Sequence, residues 1–283
     1  MHSTNVLCCV GAGDDYLLIG GKDRGIDLFN IENKEFICSF GSGHVYEVTE
    51  VAVKRDTTQF VSCGGDKVAF LWDVESRRII RKLFGHEQRI NSVCWNSPFE
   101  NVVCTGSNDG SVRIHDLRSK DPVQILSFKD NVSCVRSQGD RITVSSMDGN
   151  VGMYSVGSGK TLTLHSTRPS TYVDISDDNH MLVSYVSEGL LCLFNSEAEL
   201  LKSYRGHMNK ENRLPCRLLD HSVLSSSEDG RLFIWDLFSG EIIKTVAFPE
   251  LSSFAVCGRN LEKVALCSHN GSIEIVQRAQ FKN

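Results

Sequence analysis

The sequence predicts an all-β fold built from seven copies of one small sheet, and three observations carry that prediction. One local pattern recurs seven times at nearly constant spacing. Inside each copy, apolar residues alternate with period two, the period of a strand and not of a helix. Between the alternating runs stand turns rich in Asp, Gly and Ser, which favour hairpins.

The clearest copies are SCGGDKVAFLWD ending at Asp73, TGSNDGSVRIHD ending at Asp116 and SSSEDGRLFIWD ending at Asp236. Weaker copies are GGKDRGIDLFN, SSMDGNVGMYS, SYVSEGLLCLFN and CSHNGSIEIVQ. The aromatic-equivalent positions are Phe29, Trp72, His115, Tyr154, Phe194, Trp235 and Val276, spaced by 43, 43, 39, 40, 41 and 41 residues. A period of about 40–45 residues with Gly-His and Trp-Asp signals marks a four-stranded propeller blade. The second copy shows why strands are expected. Phe60, Ser62 and Gly64 point one way while Val61 and Cys63 point the other, and Val68, Phe70 and Trp72 then alternate with Ala69, Leu71 and Asp73. No segment sustains an amphipathic-helix pattern. The whole chain, 1–283, is therefore expected to be a single seven-bladed β-propeller.

At the two ends the pattern predicts an irregularity. Residues 4–10 read as the innermost strand of blade one, and the last blade, ending near Gln277, has residues for three strands only. The last blade is expected to lack its outer strand, unless the tail from Arg278 to Asn283 supplies one. An open strand edge is a pairing hazard.

Bulk properties narrow the function. Of 283 residues, 41% are hydrophobic, enough for a sizeable core. The net charge of −5 lacks the surplus of Lys and Arg that neutralises phosphates, so direct nucleic-acid binding is not expected. No apolar run approaches the roughly 18 residues that span a membrane. Met1 to Val10 has no Lys or Arg ahead of its short apolar run, so a secretory leader is not expected either. The chain is expected in the cytoplasm, and in the nucleus as well if it serves there. The eleven cysteines are odd in number and mostly lie in strand-like runs; none forms C-x-x-C and no paired Cys/His spacing suits zinc. They read as reduced, packed small hydrophobes.

The Gly-His and Trp-Asp repeats resemble the WD40-repeat propeller family over nearly the whole chain. That resemblance implies blades whose strands a to d run outward from a central channel, with a ring usually closed by a strand lent to the last blade. It also implies a hydrogen-bonded tetrad in each well-formed blade: His from the d–a loop, Ser or Thr from strand b, Asp from the b–c turn, Trp from strand c. By spacing, His44, Ser62, Asp66 and Trp72 form one set, and His207, Ser225, Asp229 and Trp235 another. His86, Thr105 and Asp109 form a third, with His115 in the Trp place. Each buried polar group would then have a partner, and removing one member would cost roughly 1–3 kcal/mol. Blades four and five lack Gly-His and are expected to be the less tightly specified side of the ring.

Two further stretches are more specific. GHVYEVTE at Gly43–Glu50 and GHMNKENRLPC at Gly206–Cys216 resemble the corresponding segments of the mitogen-activated protein kinase organizer family, with the same blade count. His115 and Pro215 are departures. The resemblance implies a non-catalytic scaffold whose partners are other proteins, either kinase-cascade components or splicing factors. It implies no cofactor, no metal, no membrane and no small-molecule substrate. The partner-binding surface is expected on the d–a loops, at Tyr46, Glu47, Gln88, Arg89, Asn209, Lys210, Glu211 and Arg213. Exposed Tyr and Arg are typical of interface hot spots.

Several motifs point elsewhere and carry less. The Ser, His and Asp residues of the tetrads suggest a hydrolase only until their repetition is noticed. GSGKT at Gly157–Thr161 lacks the first glycine of a phosphate-binding loop and stands between strands. VGAGDDYLLIGG at Val10–Gly21 lacks the third glycine and the helix of a dinucleotide fingerprint. His115-Asp116-Leu117-Arg118 partly matches a Trp-Asp-x-Arg motif with which some WD-repeat proteins dock on the adaptor of a cullin ubiquitin ligase. A substrate receptor of such a ligase is the alternative function.

Overall fold

The computed structural model describes residues 6–281, apart from 42, 97–98, 156–160, 177, 187–188 and 258–261. The phosphate-loop-like segment falls at 157–160, outside the described residues, and strand d of blade four begins right after it.

Seven antiparallel sheets follow one another, each a simple meander. Six have four strands and the seventh has three. Every sheet packs on the next, and strand a of the seventh (Leu251–Cys257) packs on strand a of the first (Val6–Ala12). The sheets thus close into a seven-bladed propeller. All seven marker positions, Phe29 to Val276, lie at the end of a strand c.

Burial explains the residue choice. In blade two, strand b (Gln59–Gly64) is buried at five of its six positions, because neighbouring blades cover both faces. Strand d of the same blade (Arg78–Leu83) alternates exposed and half-buried residues, as the rim of the ring requires. The b–c turns are equally regular. The residue after the turn Asp or Asn is left-handed in blade after blade: Arg24, Lys67, Gly110, Gly149, Gly230 and Gly271 all have φ between 63° and 86°. At Gly149 a Cβ would lie 2.1 Å from the Ser166 carbonyl, so glycine is required there.

Strand a also staples blades two, three and four each to the next. Thr49 donates to the Ile90 carbonyl (2.7 Å), Asn91 to that of Val132 (2.7 Å) and Ser133 to that of Ser170 (2.6 Å). Each is the second residue of its strand a, and each acceptor opens strand a of the following blade.

Closure between blades seven and one rests on side-chain packing. Val6, Leu17, Ile19 and Phe29 meet Ala255, Cys257, Ala265 and Cys267. Among the described residues the tail adds no strand; Arg278–Phe281 turns as a short 3-10 helix, and strand c (Ile273–Gln277) is the outermost of its sheet. All eleven cysteines are free thiols, and all but the half-buried Cys9 are buried.

Candidate functional site

The tetrad of blade two is complete. His44 Nδ1 lies 2.5 Å from Asp66, His44 Nε2 lies 2.7 Å from the Ser62 hydroxyl, and the Trp72 indole donates to the same hydroxyl at 2.8 Å. A neutral imidazole satisfies all three contacts. The carboxylate accepts from Nδ1–H, so Nε2 accepts from Ser62, whose oxygen accepts from Trp72. This pattern leaves the His44 ring neutral. Burial pushes its pKa down, with Asp66 pulling the other way. The second oxygen of Asp66 accepts from the Val45 amide at 2.7 Å and thereby ties down the d–a loop.

Blade three repeats this with one substitution. His86 lies 2.8 Å from both Asp109 and Thr105, and His115 Nε2 lies 3.3 Å from the Thr105 oxygen in the indole's place. Burial, then the nearby charges of His86 and Arg113, push the His115 pKa down to about 4.

In blade six the expected set does not assemble. Trp235 donates to the Arg205 carbonyl (3.0 Å), Ser225 to the Ser226 carbonyl (3.0 Å), and Asp229 faces Arg231 at 3.7 Å near solvent. Neither ring nitrogen of buried His207 has a hydrogen-bond partner among the described residues. Its ring packs edge-on against Trp235, centroids 5.5 Å apart, and burial pushes its pKa down to about 4. The cause lies in the loop. Three residues stand between His44 and Val48 and between His86 and Ile90, at the start of strand a, but eight stand between His207 and Cys216. The longer loop is anchored elsewhere, by Asn209 to Ser184 (3.1 Å) and by the Glu228 carboxylate to the amides of Glu211 and Asn212 (2.9 and 2.8 Å).

These anchors also change the expected surface. Tyr46, Gln88, Arg89, Lys210 and Glu211 are exposed on the d–a loops, and half-buried Glu47 pairs with Arg89 across blades two and three. Asn209 is 1% exposed and is a structural link, not a contact residue. Arg213 also leaves the surface set, because it turns into the channel and pairs with Glu50. The sequence reading passed over three exposed apolar residues on the same loops: Val45, Phe84 and Met208, at 65%, 61% and 41% exposure. A signal for all three was present. An apolar side chain beside Gly-His, as in Phe84-Gly85-His86 and His44-Val45, has no core to face once the histidine enters the blade.

The channel holds a second cluster. Glu50 of blade two accepts from Arg136 of blade four (2.8 Å), from Arg213 of the blade-six loop (3.1 Å) and from the Val93 amide (2.9 Å). Arg136 also donates to the Tyr172 hydroxyl, and the two guanidiniums flank the Tyr172 ring at 4.7 and 5.0 Å. Beside them Arg217 pairs with buried Asp174 at 2.8 Å. A charged residue inside an apolar strand, as in VTEVAV and VSCVRSQ, was the available signal. Burial alone would raise Glu50, but Arg136 and Arg213 hold its carboxyl at about 2.

Comparison with known proteins fits this architecture. Residues 34–73 and 77–116, each running from strand d of one blade through the d–a loop to strand c of the next, match the family described as "WD domain, G-beta repeat". The chain is a seven-bladed β-propeller that carries two matched WD40 repeats. It is 29% identical over 267 residues to "WD repeat domain-containing protein 83 homolog" of Dictyostelium discoideum, covering 82% of this chain and 81% of that protein. It is 36% identical over 129 residues to "WD repeat domain-containing protein 83" of Rattus norvegicus, 44% of this chain and 41% of the rat protein. It is 26% identical over 142 residues to "U5 small nuclear ribonucleoprotein 40 kDa protein" of Dictyostelium discoideum, 50% of this chain and 40% of that one.

WD40 propellers generally bind other proteins. The chemistry of this one agrees. Glu50 at about 2 takes up no proton near neutrality, burial pushes the Cys8 and Cys216 thiols up, and the blade-two and blade-three histidines are committed to their tetrads. Such groups hold positions and charges; they are poor acids, bases and nucleophiles.

Proposed function

We propose that this WD40 propeller is a non-catalytic scaffold of the mitogen-activated protein kinase organizer kind. It gathers kinase-cascade components or works with the splicing machinery, in the cytoplasm and the nucleus. The observation that carries this reading is the similarity to the Dictyostelium protein 83 homolog, which runs through most of both chains. It extends well beyond the two blades that match the general repeat. The organizer-like segments supply the d–a loops, and there Val45, Tyr46 and Phe84 stand exposed beside the Glu47–Arg89 pair. Apolar and aromatic anchors rimmed by charge are the composition of a protein interface. The splicing arm draws support from the name of the U5 relative.

The test is affinity purification of the full chain from cells, beside a Tyr46→Ala/Arg89→Glu variant. The variant is expected to keep its melting temperature, because both side chains are exposed, and to lose a partner. Kinases lost with the variant support the signalling arm; splicing factors lost support the other. Unchanged recovery of every partner removes the loop face from the proposal. One observation keeps the ubiquitin-ligase reading in view: Arg118, though paired with Asp116 at 2.6 Å, is 74% exposed. Recovery of a cullin adaptor that is lost in Arg118→Ala would favour that reading instead.

A further inference from the structure

We infer that the central channel is an anion-binding site: the cavity beside Glu50, Arg136 and Arg213 takes an oxyanion group, carboxylate or phosphate, carried by a small molecule or by a side chain of a partner. This goes beyond the scaffold reading and does not rest on it, because the d–a loop patch and this cavity share neither Tyr46 nor Arg89.

The cavity measures about 490 Å³ and has apolar walls that include Val51, Val93, Phe254 and Val256. Its charge is unbalanced. Two guanidiniums, Arg136 and Arg213, share the single carboxylate of Glu50, while Arg217 is matched by Asp174. One positive charge is therefore left over inside a largely buried cluster. The excess continues toward the a–b loops. Lys54, Arg55, Arg136, Arg213 and Arg217 line the cavity against Glu50 and Glu100, on a chain whose net charge is −5. Lys54 is engaged by Asp56 and Glu100, but Arg55 is exposed.

Hydrogen bonding points the same way. Arg213 lines the cavity, and its Nη atoms are held there by the Asn91 carbonyl and the Glu50 carboxylate. A guanidinium fork fits carboxylate and phosphate oxygens. Apolar walls strengthen the attraction, because field lines concentrate in a low-dielectric cleft. An entering oxyanion would neutralise the leftover charge; a neutral or cationic ligand would not.

The experiment measures melting temperature of the full chain in sodium pyrophosphate and in citrate, against sodium chloride of equal ionic strength. A saturable rise is expected with one or both anions and not with chloride. Arg55→Gln, exposed and so folded normally, should weaken the apparent affinity several-fold. Arg213→Gln should abolish the rise, and Glu50→Gln, with one carboxylate fewer, should tighten binding. If the two channel variants do not fold, Arg55→Gln decides. A fluorescent Glu-bearing peptide forms the second arm, read by anisotropy. A rise with the small anions alone assigns the oxyanion to a free ligand, and peptide binding sensitive to Arg55→Gln assigns it to a partner's side chain. The inference is overturned if neither probe gives a saturable response, or if Arg55→Gln and the folded channel variants respond like the parent chain.

Discussion

Blades two and six carry the same four residues at the same spacing, yet only blade two joins them. From His to Ser is 18 residues in both, from Ser to Asp 4, and from Asp to Trp 6. In blade two this gives a closed chain of hydrogen bonds from Asp66 to Trp72. In blade six His207 is buried without one among the described residues, and Trp235 turns to a backbone carbonyl. The spacing between motif residues is thus a necessary condition and not a sufficient one. The loop between the histidine and strand a decides the rest. A short loop leaves the His free to meet its blade, whereas the loop of blade six is tied to blade five through Asn209 and to the channel through Arg213.

The largest effect is expected when each histidine is replaced with phenylalanine. His44→Phe leaves the Asp66 carboxylate and the Ser62 hydroxyl without their buried partner. It should cost about 3 kcal/mol in urea unfolding, since stranded buried groups lose their full desolvation energy. His207→Phe removes a ring with no hydrogen bond and keeps its contacts with Phe233 and Trp235. It should change stability by less than about 0.5 kcal/mol, or raise it. Equal losses in the two variants would mean that both tetrads form in solution.

The same contrast shows what was legible in the sequence. Fold class, blade count and the three-stranded last blade followed from a period of about 40 residues and alternation by two, because those patterns are imposed by burial on both faces of each sheet. The cross-blade bonds of Thr49, Asn91 and Ser133 were not legible, since a hydroxyl or amide in strand a has the same letters whether it faces its own blade or the next. Asn209 and Arg213 look like ordinary polar loop residues; only the path of the chain shows that one is buried and the other crosses the channel. Blades four and five show the converse. They lack Gly-His, yet the apolar cluster running from Cys134 through blade five to Trp235 contains eighteen buried residues, against ten in the cluster around the blade-two Trp72. Where the polar tetrad is missing, apolar volume specifies the packing instead.

Acid should separate the two blades by a smaller amount. The His207 pKa is about 4 in the fold and about 6.5 in the unfolded chain. The unfolded state therefore binds the proton more tightly. The neutral ring's contribution is fully present above pH 6.5 and is lost as pH falls toward 4, where the loss reaches at most about 3 kcal/mol. His115 behaves alike. His207→Phe should thus flatten the fall in melting temperature between pH 6.5 and 4, leaving the parts due to His44, His86 and His115. An unchanged slope would show that His207 already finds a partner or solvent.

The smallest effect is the most diagnostic. Asp66 accepts from the His44 ring and from the Val45 and Tyr46 amides, and its side chain is 7% exposed. Asp66→Ala should therefore cost about 2 kcal/mol. Asp229 occupies the matching turn, but its carboxylate is 30% exposed and faces only Arg231 at 3.7 Å, a surface pair of little energetic weight. Asp229→Ala should cost less than about 0.5 kcal/mol, and two melting curves are enough to compare them. A loss at Asp229 as large as that at Asp66 would place the carboxylate on His207 after all. The eight-residue loop would then no longer explain the difference between the blades. A near-zero loss, beside a large one at Asp66, would locate the difference in the path of the chain after the histidine and not in the motif itself.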